Sequence, residues 1–264
     1  MNNKPTILKL GGSAITHKTK PKTANMRIIN NLAKEISTAK TQRLIIVHGG
    51  GSFGHPLAKK YALTKGYKDS SQIIGLAQTH EAMTVLNGII VNALIRHNIP
   101  AVSVAPSSFI ITKGGRIQKL DIDIVTKLLK MGFVPVLYGD AVLDSERGFA
   151  ILSGDQLIAK LAIVLNAERV IIGVDVDGFY TAEPSDSSAV LISHITANEL
   201  RKLQDHAGKS RATDVTGGMR GKIIELIPAI EHGVRAVIVN ATKPDTVRKA
   251  LCNEPVIGTL ITKE

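Results

Sequence analysis

A run of glycines directly after a short apolar segment constrains this chain more than any other feature. Residues 44–47 (Leu-Ile-Ile-Val) are apolar and mostly β-branched, which predicts a buried strand, and they lead into His48-Gly49-Gly50-Gly51. Glycines permit positive φ and let backbone N–H groups approach a ligand without Cβ atoms in the way. Such a concavity suits an anion, above all a phosphate. The sequence therefore predicts a phosphate-binding loop at the end of a strand.

Two other interpretations of this loop are open. Gly49, Gly51 and Gly54 match the dinucleotide-binding pattern G-x-G-x-x-G, which expects an acidic residue about 20 residues further on, at the end of the next strand. Asp69 lies near that distance, but in a polar turn with no strand before it. A purely structural glycine turn is the second alternative. We favour phosphate binding over both.

Length, charge and composition restrict the class of protein. A chain of 264 residues can form one large α/β domain or two small ones. No apolar stretch approaches the ~18 residues of a membrane span and no signal peptide is apparent, so we expect a cytoplasmic protein without a membrane segment. The net charge of +11 suits nucleic acid, but aromatic residues make up only 3% and Trp is absent. Because few side chains can stack on bases, we expect no nucleic-acid partner.

Strands and helices are predicted to alternate along the chain. A short helix is expected between Pro56 and Tyr61, and a hairpin turned at Gly114-Gly115. Strand–helix–strand units of this kind predict an α/β fold with a mainly parallel sheet. Apolar runs predict strands near 6–10, 43–48, 101–104, 133–137, 169–174, 236–239 and 258–261, and helical periodicity predicts helices near 25–40, 70–97, 121–130, 156–165, 223–232 and 244–250.

The helix predicted over 70–97 carries an apolar stripe. It includes Ile73, Ile74, Met83 and Leu86. Such a stripe normally packs in the core. The alternative is that part of it lines an apolar substrate pocket beside the phosphate loop.

Further glycine loops and lysines accompany the first loop. Lys9 lies just before Gly11-Gly12-Ser13, Gly154-Asp155 precede a helix, and Lys222 ends a glycine-rich segment before another helix. Ser153 or Asp155 as a simple helix cap is an equally good explanation of the Gly154 segment. Several glycine loops with separate lysines predict two phosphorylated ligands that meet. This is the requirement of phosphoryl transfer, in which the protein aligns two groups and neutralises charge.

Four motifs together resemble the amino acid kinase superfamily across essentially the whole chain. They are Lys9-Leu-Gly-Gly-Ser, His48-Gly-Gly-Gly, Gly173-Val-Asp-Val-Asp-Gly and Gly217-Gly-Met-Arg-Gly-Lys222, and Gly-Ser-Phe-Gly-His at 51–55 is similar to the isopentenyl phosphate kinases. The resemblance implies an open αβα sandwich, a homodimer, and transfer of phosphate from ATP to isopentenyl phosphate with Mg²⁺. It also implies a single domain over 1–264, with an acceptor-binding part over about 1–165 and a nucleotide-binding part over about 166–264.

The resemblance also implies roles for individual residues. Lys9 would contact the phosphates, Lys18 would stabilise the transferring group, and His55 would hold the acceptor phosphate beside Gly50 and Gly154. Independently of the resemblance, the alternative to helix capping is that Gly154 approaches a phosphate and Asp155 orients the lysines around it; no residue is assigned as a metal ligand. The residues expected to bind ATP are Lys9, Gly11, Gly12, Ser13, Gly51, Asp175, Gly218 and Lys222.

Other functions within and outside this superfamily remain open at this point. A fosfomycin kinase also phosphorylates a small phosphonate. An amino acid or carbamate kinase fits His55 less well, because its acceptor carries less charge. A two-domain glutamate 5-kinase needs an additional domain, for which 264 residues leave no room. A basic regulator without activity would not require Lys9, Lys18 and Lys222, all of which are present.

Overall fold

An eight-stranded sheet forms the centre of the fold in the computed structural model, which describes residues 4–202 and 217–264. Within these ranges the strands are β1 (Thr6–Leu10), β2 (Leu44–His48), β3 (Ala101–Ser103), β4 (Ile110–Lys113), β5 (Arg116–Leu120), β6 (Val134–Tyr138), β7 (Asp140–Asp144), β8 (Gly148–Leu152), β9 (Arg169–Val174), β10 (Phe179–Tyr180), β11 (Leu191–Ile192), β12 (His194–Thr196), β13 (Arg235–Asn240) and β14 (Gly258–Thr262). The order in the main sheet is β12-β14-β13-β9-β1-β2-β6-β3. β13, β9, β1, β2, β6 and β3 are mutually parallel, which confirms the predicted mainly parallel sheet.

Helices cover both faces of this sheet. They are α1 (Gly12–Ile15), α2 (Met26–Ala39), α3 (Gly51–Lys60), α4 (Ser71–Arg96), α5 (Asp123–Lys130), α6 (Gly154–Val164), α7 (Gly217–Ile224), α8 (Ile227–Glu231) and α9 (Thr246–Cys252), and residues 197–202 are also helical. Thr216, part of the predicted segment before α7, lies outside the described residues.

Alternating side chains of β1 show how the two layers are built. Ile7 packs in a core with residues of α5, α6 and α8, whereas Leu8 packs on the other face with residues of α2, α4 and α9. Successive residues of a strand point to opposite faces, so a strand that is apolar throughout must be covered on both sides. The predicted αβα sandwich is therefore confirmed.

The carboxyl ends of the parallel strands lie together at one edge of the sheet. Three backbone hydrogen bonds link the loops that follow them: the Gly11 N–H donates to the Gly173 carbonyl (2.7 Å), the Gly49 N–H to the Leu10 carbonyl (2.9 Å) and the Gly139 N–H to the His48 carbonyl (3.0 Å). Ligands of open α/β sheets bind at this edge. The glycine loops that the sequence singles out are thus brought to one place.

A second sheet of four strands, in the order β5-β4-β7-β8, lies beside this edge. The hairpin between β4 and β5 turns at Gly114-Gly115, as predicted. Asp144 anchors that turn, because its carboxylate accepts hydrogen bonds from the Thr112 hydroxyl (2.8 Å) and from the backbone N–H groups of Gly114 (3.1 Å) and Gly115 (2.7 Å). Burial opposes ionisation of Asp144, but these hydrogen bonds outweigh it and hold the pKa of the carboxyl below its usual range.

Two helices were predicted with the wrong boundaries, and each of the two regions contains a proline. α3 begins at Gly51 and includes Pro56, instead of beginning after it. Pro56 has no N–H for the Ser52 carbonyl, which accepts from the Lys22 N–H instead (3.0 Å). The helix predicted over 223–232 is divided into α7 and α8, with Pro228 in the first turn of α8, where a missing N–H costs little.

The predicted apolar stripe of α4 is correct only in part. Met83 and Leu86 are buried, but Ile73 and Ile74 are more than half exposed (59% and 55%). The buried face of the first turns runs through smaller or polar residues such as Gly75 instead. A Cβ on Gly75 would lie 2.2 Å from Cγ of Tyr61, so the helix packs closely there and both isoleucines face outward.

Candidate active site

A cavity of about 430 Å³ lies at the carboxyl edge of the main sheet. It collects most of the residues that the sequence predicts for the site; Asp175 is not among its lining residues. The predicted residues along its wall are Lys9, Gly11, Gly12, Ser13, Lys18, Gly50, Gly51, His55, Gly154, Asp155 and Lys222.

Lys9 projects into this cavity from the middle of the sheet. β1 lies between β2 and β9, so Lys9 is not an edge residue and its side chain is only 3% exposed. The Lys9 ammonium forms an ion pair with the carboxylate of Asp155 at the start of α6. Burial lowers the pKa of Lys9, Asp155 opposes that shift, and the charge of Lys222 adds to it. The pair therefore sets a positive group, held by a carboxylate, at the centre of the cavity.

Two of the glycine loops are in direct backbone contact. A Cβ on Gly12 would lie 2.3 Å from the backbone nitrogen of Gly51, so no larger residue fits there. Gly51 has a φ of +47°, and its own Cβ would lie 2.2 Å from Oγ1 of Thr16. Glycine at both positions lets the loops after β1 and β2 form one surface of backbone along the cavity.

Two helices begin at the cavity wall. α3 begins at Gly51 after Gly50, which offers no side chain as a cap, and α6 begins at Gly154 after Ser153. The Ser153 hydroxyl accepts from the Gln156 N–H (3.1 Å), so the capping interpretation of Ser153 is confirmed. The first N–H groups of a helix lack partners within the helix and carry a partial positive charge. Both helix ends therefore favour an anion in the cavity.

His55 faces the same cavity from α3. Its pKa is lowered by desolvation in the first place and by the charges of Lys222 and Lys9, while Asp155 acts in the opposite direction. The imidazole is therefore mostly neutral near pH 7 in the free protein. An anion placed beside it would favour the imidazolium form.

Asp175 acts through its neighbours. It follows β9, and its carboxylate pairs with the Lys18 ammonium (2.7 Å) and accepts from the Ser13 hydroxyl (2.7 Å). Burial opposes ionisation of Asp175, but these two contacts keep its pKa below the ordinary value. Lys18 and Ser13 line the cavity, so Asp175 holds both in place. Gly218 lies in α7, the helix that brings Lys222 to the cavity.

Sequence reasoning missed part of the cavity wall. Asp140, the first residue of β7, lines the cavity, as do Thr79 on α4 and Ile151 on β8. The Asp140 carboxylate accepts from Nδ1 of His80 (2.8 Å). Gly139-Asp140 follows an apolar strand, as the predicted phosphate loops do. This pattern in the sequence could have identified Asp140 as a residue of the site. The lining also includes the apolar side chains of Ala58, Met83, Ile151 and Leu152.

The carboxylates of Asp155 and Asp175 would fit a divalent cation only if phosphate oxygens and water supplied its other ligands. Residues 4–202 and 217–264 contain no group of three or more His, Cys, Asp or Glu side chains arranged to hold a metal. Asp155 and Asp175 are the carboxylates near the lysines, and each already pairs with one. Mg²⁺ in phosphotransferases commonly takes one or two carboxylates, with phosphate oxygens and water completing its shell.

No helix within the described ranges is both long enough and apolar enough to cross a membrane.

Comparison with known proteins agrees with this geometry. The sequence profile of the amino acid kinase family matches residues 4–240. The chain is 43% identical to the isopentenyl phosphate kinase of Methanothermobacter thermautotrophicus, over 97% of this chain and 98% of that protein. It is 36% identical to the isopentenyl phosphate kinase of Methanocaldococcus jannaschii, over 94% of this chain and 95% of that protein.

Solved structures lead to the same family. An X-ray structure of an isopentenyl phosphate kinase superposes with a TM-score of 0.85 at 40% identity, over 97% of this chain and 99% of that one. More distant relatives include the acetylglutamate kinase of Brevibacillus brevis, 26% identical over 84% of this chain and 86% of that protein. The chain therefore belongs to the amino acid kinase family, and within it to the isopentenyl phosphate kinases.

Proposed function

We propose that the protein transfers the γ-phosphate of ATP to isopentenyl phosphate, giving isopentenyl diphosphate and ADP. The observation that carries this proposal is a single cavity in which Lys9, Lys222, His55 and two helix N-termini surround an anion-binding space beside an apolar wall. A substrate with a phosphate head and a short hydrocarbon tail matches both halves of that cavity.

The acceptor is assigned to the region between α3 and α6. Its phosphate would lie at the helix starts near Gly50 and Gly154, with His55 as a side-chain donor. Helix N-termini bind phosphate through free N–H groups and the macrodipole. The tail would lie along Met83 and Ile151, where burial of each CH₂ contributes about 0.8 kcal/mol.

The nucleotide is assigned to the opposite side of Lys9. Its phosphates would lie along Gly11–Ser13, with Lys18 and Lys222 as positive partners. Most of the cavity wall comes from residues before 165, and Lys222 and Asp175 come from the later part of the chain. We extend the proposal to an acceptor-binding part over about 1–165, which also supplies Gly11–Ser13 and Lys18 to the nucleotide phosphates, and a nucleotide-binding part over about 166–264.

In the transfer step an oxygen of the acceptor phosphate attacks the γ-phosphorus of ATP. The new P–O bond forms as the bond to the β–γ bridging oxygen breaks, and that electron pair leaves with ADP. The acceptor is already ionised, so no strong general base is required. Lys9 lies between the two assigned phosphate positions, and Lys18 would neutralise charge on the transferring group. Mg²⁺, held by nucleotide phosphates near Asp155 and Asp175, would supply further charge neutralisation when bound.

We further propose that the protein is a homodimer and acts in the cytoplasm. The exposed apolar side chains of α4, among them Val85 (45%) and Ile95 (52%), support a contact with a second copy. Light scattering after size-exclusion chromatography measures the mass directly. A monomer at micromolar concentration would contradict the dimer without affecting the proposed reaction.

ADP release from Mg-ATP tests the activity, with isopentenyl phosphate, dimethylallyl phosphate, fosfomycin and glutamate compared side by side. We expect strong turnover with the two isoprenoid phosphates only. Turnover only with fosfomycin would favour the alternative kinase, and turnover with none would favour a regulator. A DNA gel shift at two salt concentrations would then detect a nonspecific nucleic-acid binder, whose affinity falls steeply with salt.

A further inference from the structure

His48 is a buried titratable residue that the proposed reaction does not use. It ends β2, is fully buried, and stacks on Tyr138 with ring centroids 5.4 Å apart. It does not line the cavity, although Gly49 and Gly50 directly after it do. The cavity therefore lies on the far side of the Gly49–Gly50 peptide from the imidazole ring.

The hydrogen bonds of His48 determine its tautomer. Nδ1 lies 3.1 Å from the carbonyl oxygen of Gly49, which can only accept, so Nδ1 carries the proton. Burial lowers the pKa of His48 to about 4, so the ring is neutral at pH 7 and Nε2 is an acceptor. The side-chain amide of Asn87 lies 3.2 Å from Nε2 and also donates to the Val136 carbonyl (3.3 Å). The donors of His48 and of the Asn87 amide thus each meet an acceptor, while Oδ1 of Asn87 has no partner among the described residues.

This network fixes the orientation of one peptide group. Peptide bonds in the described residues are trans, so a carbonyl and the N–H of the next residue point in opposite directions. Because the Gly49 carbonyl points toward His48, the Gly50 N–H points away from His48, and Gly50 itself lines the cavity. The Gly49 N–H is already bonded to the Leu10 carbonyl (2.9 Å). Both sides of Gly49 are therefore held in place.

A fixed peptide orientation matters in a loop of three glycines. Glycines lack side chains that restrict their φ and ψ, and a peptide between two of them can rotate at low cost. A rotated Gly49–Gly50 peptide would present a carbonyl oxygen to the phosphate and repel it. The Leu10 carbonyl restrains the N–H of Gly49, and the His48 side chain restrains its carbonyl.

We propose that His48, with Asn87 behind it, is a positioning residue that orients the Gly49–Gly50 peptide so that the Gly50 N–H is donated to the acceptor phosphate. This inference rests on the proposed function. His48 contacts neither substrate, and it acts on binding through the backbone of the glycine loop.

Three substitutions at one position separate this role from simple packing. His48→Asn keeps an N–H donor near the position of Nδ1, His48→Gln moves the donor toward the position of Nε2, and His48→Phe keeps the ring stacked on Tyr138 without any donor. We expect His48→Phe and His48→Gln to raise the acceptor KM about tenfold or more, with the ATP KM changed less than about threefold. His48→Asn should restore the acceptor KM to within about threefold of the wild type. Equal effects of Asn and Phe, or equal effects on both substrates, would overturn the proposal.

A second measurement does not depend on kinase activity. In ¹⁵N-glycine-labelled protein, inorganic phosphate should move the amide resonance of Gly50 in the wild type and in His48→Asn, but not in His48→Phe. If the wild type shows this shift yet does not phosphorylate isopentenyl phosphate, the proposed function fails and the positioning role stands. If His48→Phe does not fold, ¹⁵N NMR of the wild-type histidines decides, and a neutral Nε2–H tautomer of His48 at pH 7 would overturn the inference.

Discussion

Lys9 and Asp155 form an ion pair at the centre of the cavity although 146 residues separate them in the chain. Lys9 lies at 3% exposure and Asp155 at 13%, so neither charge is well hydrated. The pair thus has two roles that can be separated: each residue compensates the buried charge of the other, and Lys9 presents a positive charge to the phosphates.

The substitution Lys9→Met tests both roles of this pair. It should cost about 3–5 kcal/mol of stability, because Asp155 keeps a buried charge without a partner. It should also lower kcat on the order of 10²–10³-fold, as the loss of a group that stabilises the transition state does. Denaturant unfolding and steady-state kinetics measure the two effects.

The double variant Lys9→Met with Asp155→Leu is the matched control. It removes both charges, so most of the lost stability should return while the activity stays low. Recovery of activity together with stability would contradict a role for Lys9 in the transfer.

The lowered pKa of His55 predicts that binding of the acceptor depends on pH. Desolvation and the nearby lysines lower its pKa in the free protein, and a bound phosphate dianion should raise it. The extra affinity is therefore fully present below the pKa of the free protein and is lost as the pH rises through the pKa of the complex. Calorimetry in buffers of different ionisation enthalpy should detect proton uptake when isopentenyl phosphate binds near pH 7.

His55→Gln controls for the titration of the ligand itself. The variant should bind the acceptor more weakly and take up fewer protons than the wild type. Identical proton uptake in both proteins would assign the linkage to the phosphate alone and rule out His55.

Substitution of Lys18 should lower turnover without lowering the stability of the protein. Its side chain is 68% exposed and contacts Asp175, so little packing depends on it. Lys18→Ala should lower kcat on the order of 10²–10³-fold with smaller changes in either KM. Lys20→Ala removes an exposed cation from the same loop and should have activity close to that of the wild type. Equal losses in both variants would indicate a general effect of positive charge.

A glycine-to-alanine substitution should have opposite effects on stability at Gly51, in the close contact between the two glycine loops, and at Gly88 on α4. Gly51→Ala forces a Cβ into a left-handed backbone and against Thr16, so it should be strongly destabilising. Gly88→Ala, in the interior of α4 with no atom within 4 Å of its Cβ, should stabilise by about 0.5–1 kcal/mol. Thermal unfolding compares the two variants, and a small effect of Gly51→Ala would show that the loops can separate.

Much of the fold could be predicted because its signals are local. The apolar runs of β1, β2 and β9 and the glycines that follow them mark both the strands and the edge where ligands bind. The motif resemblance then led to the family that the comparisons show.

The remaining features depend on contacts between distant parts of the chain. Asp140 reaches the cavity because β6 lies next to β2, and Ile73 is exposed because Tyr61 packs closely against Gly75. Periodicity along one helix cannot reveal which of two faces a distant aromatic ring will cover. The role inferred for His48 likewise depends on Asn87, which lies on another element.

The strand order also affects how the chain can acquire its structure during synthesis. β1 precedes every other described strand but lies between β2 and β9, and β9 follows only after α6 has supplied Asp155. Until β9 is made, one edge of β1 is open, and until α6 is made, Lys9 lacks Asp155 as its counter-charge. Open edges with exposed apolar faces favour aggregation, and pairing between distant strands is slow. The central sheet is therefore complete only when β9, β13 and β14 from the later half of the chain have been made.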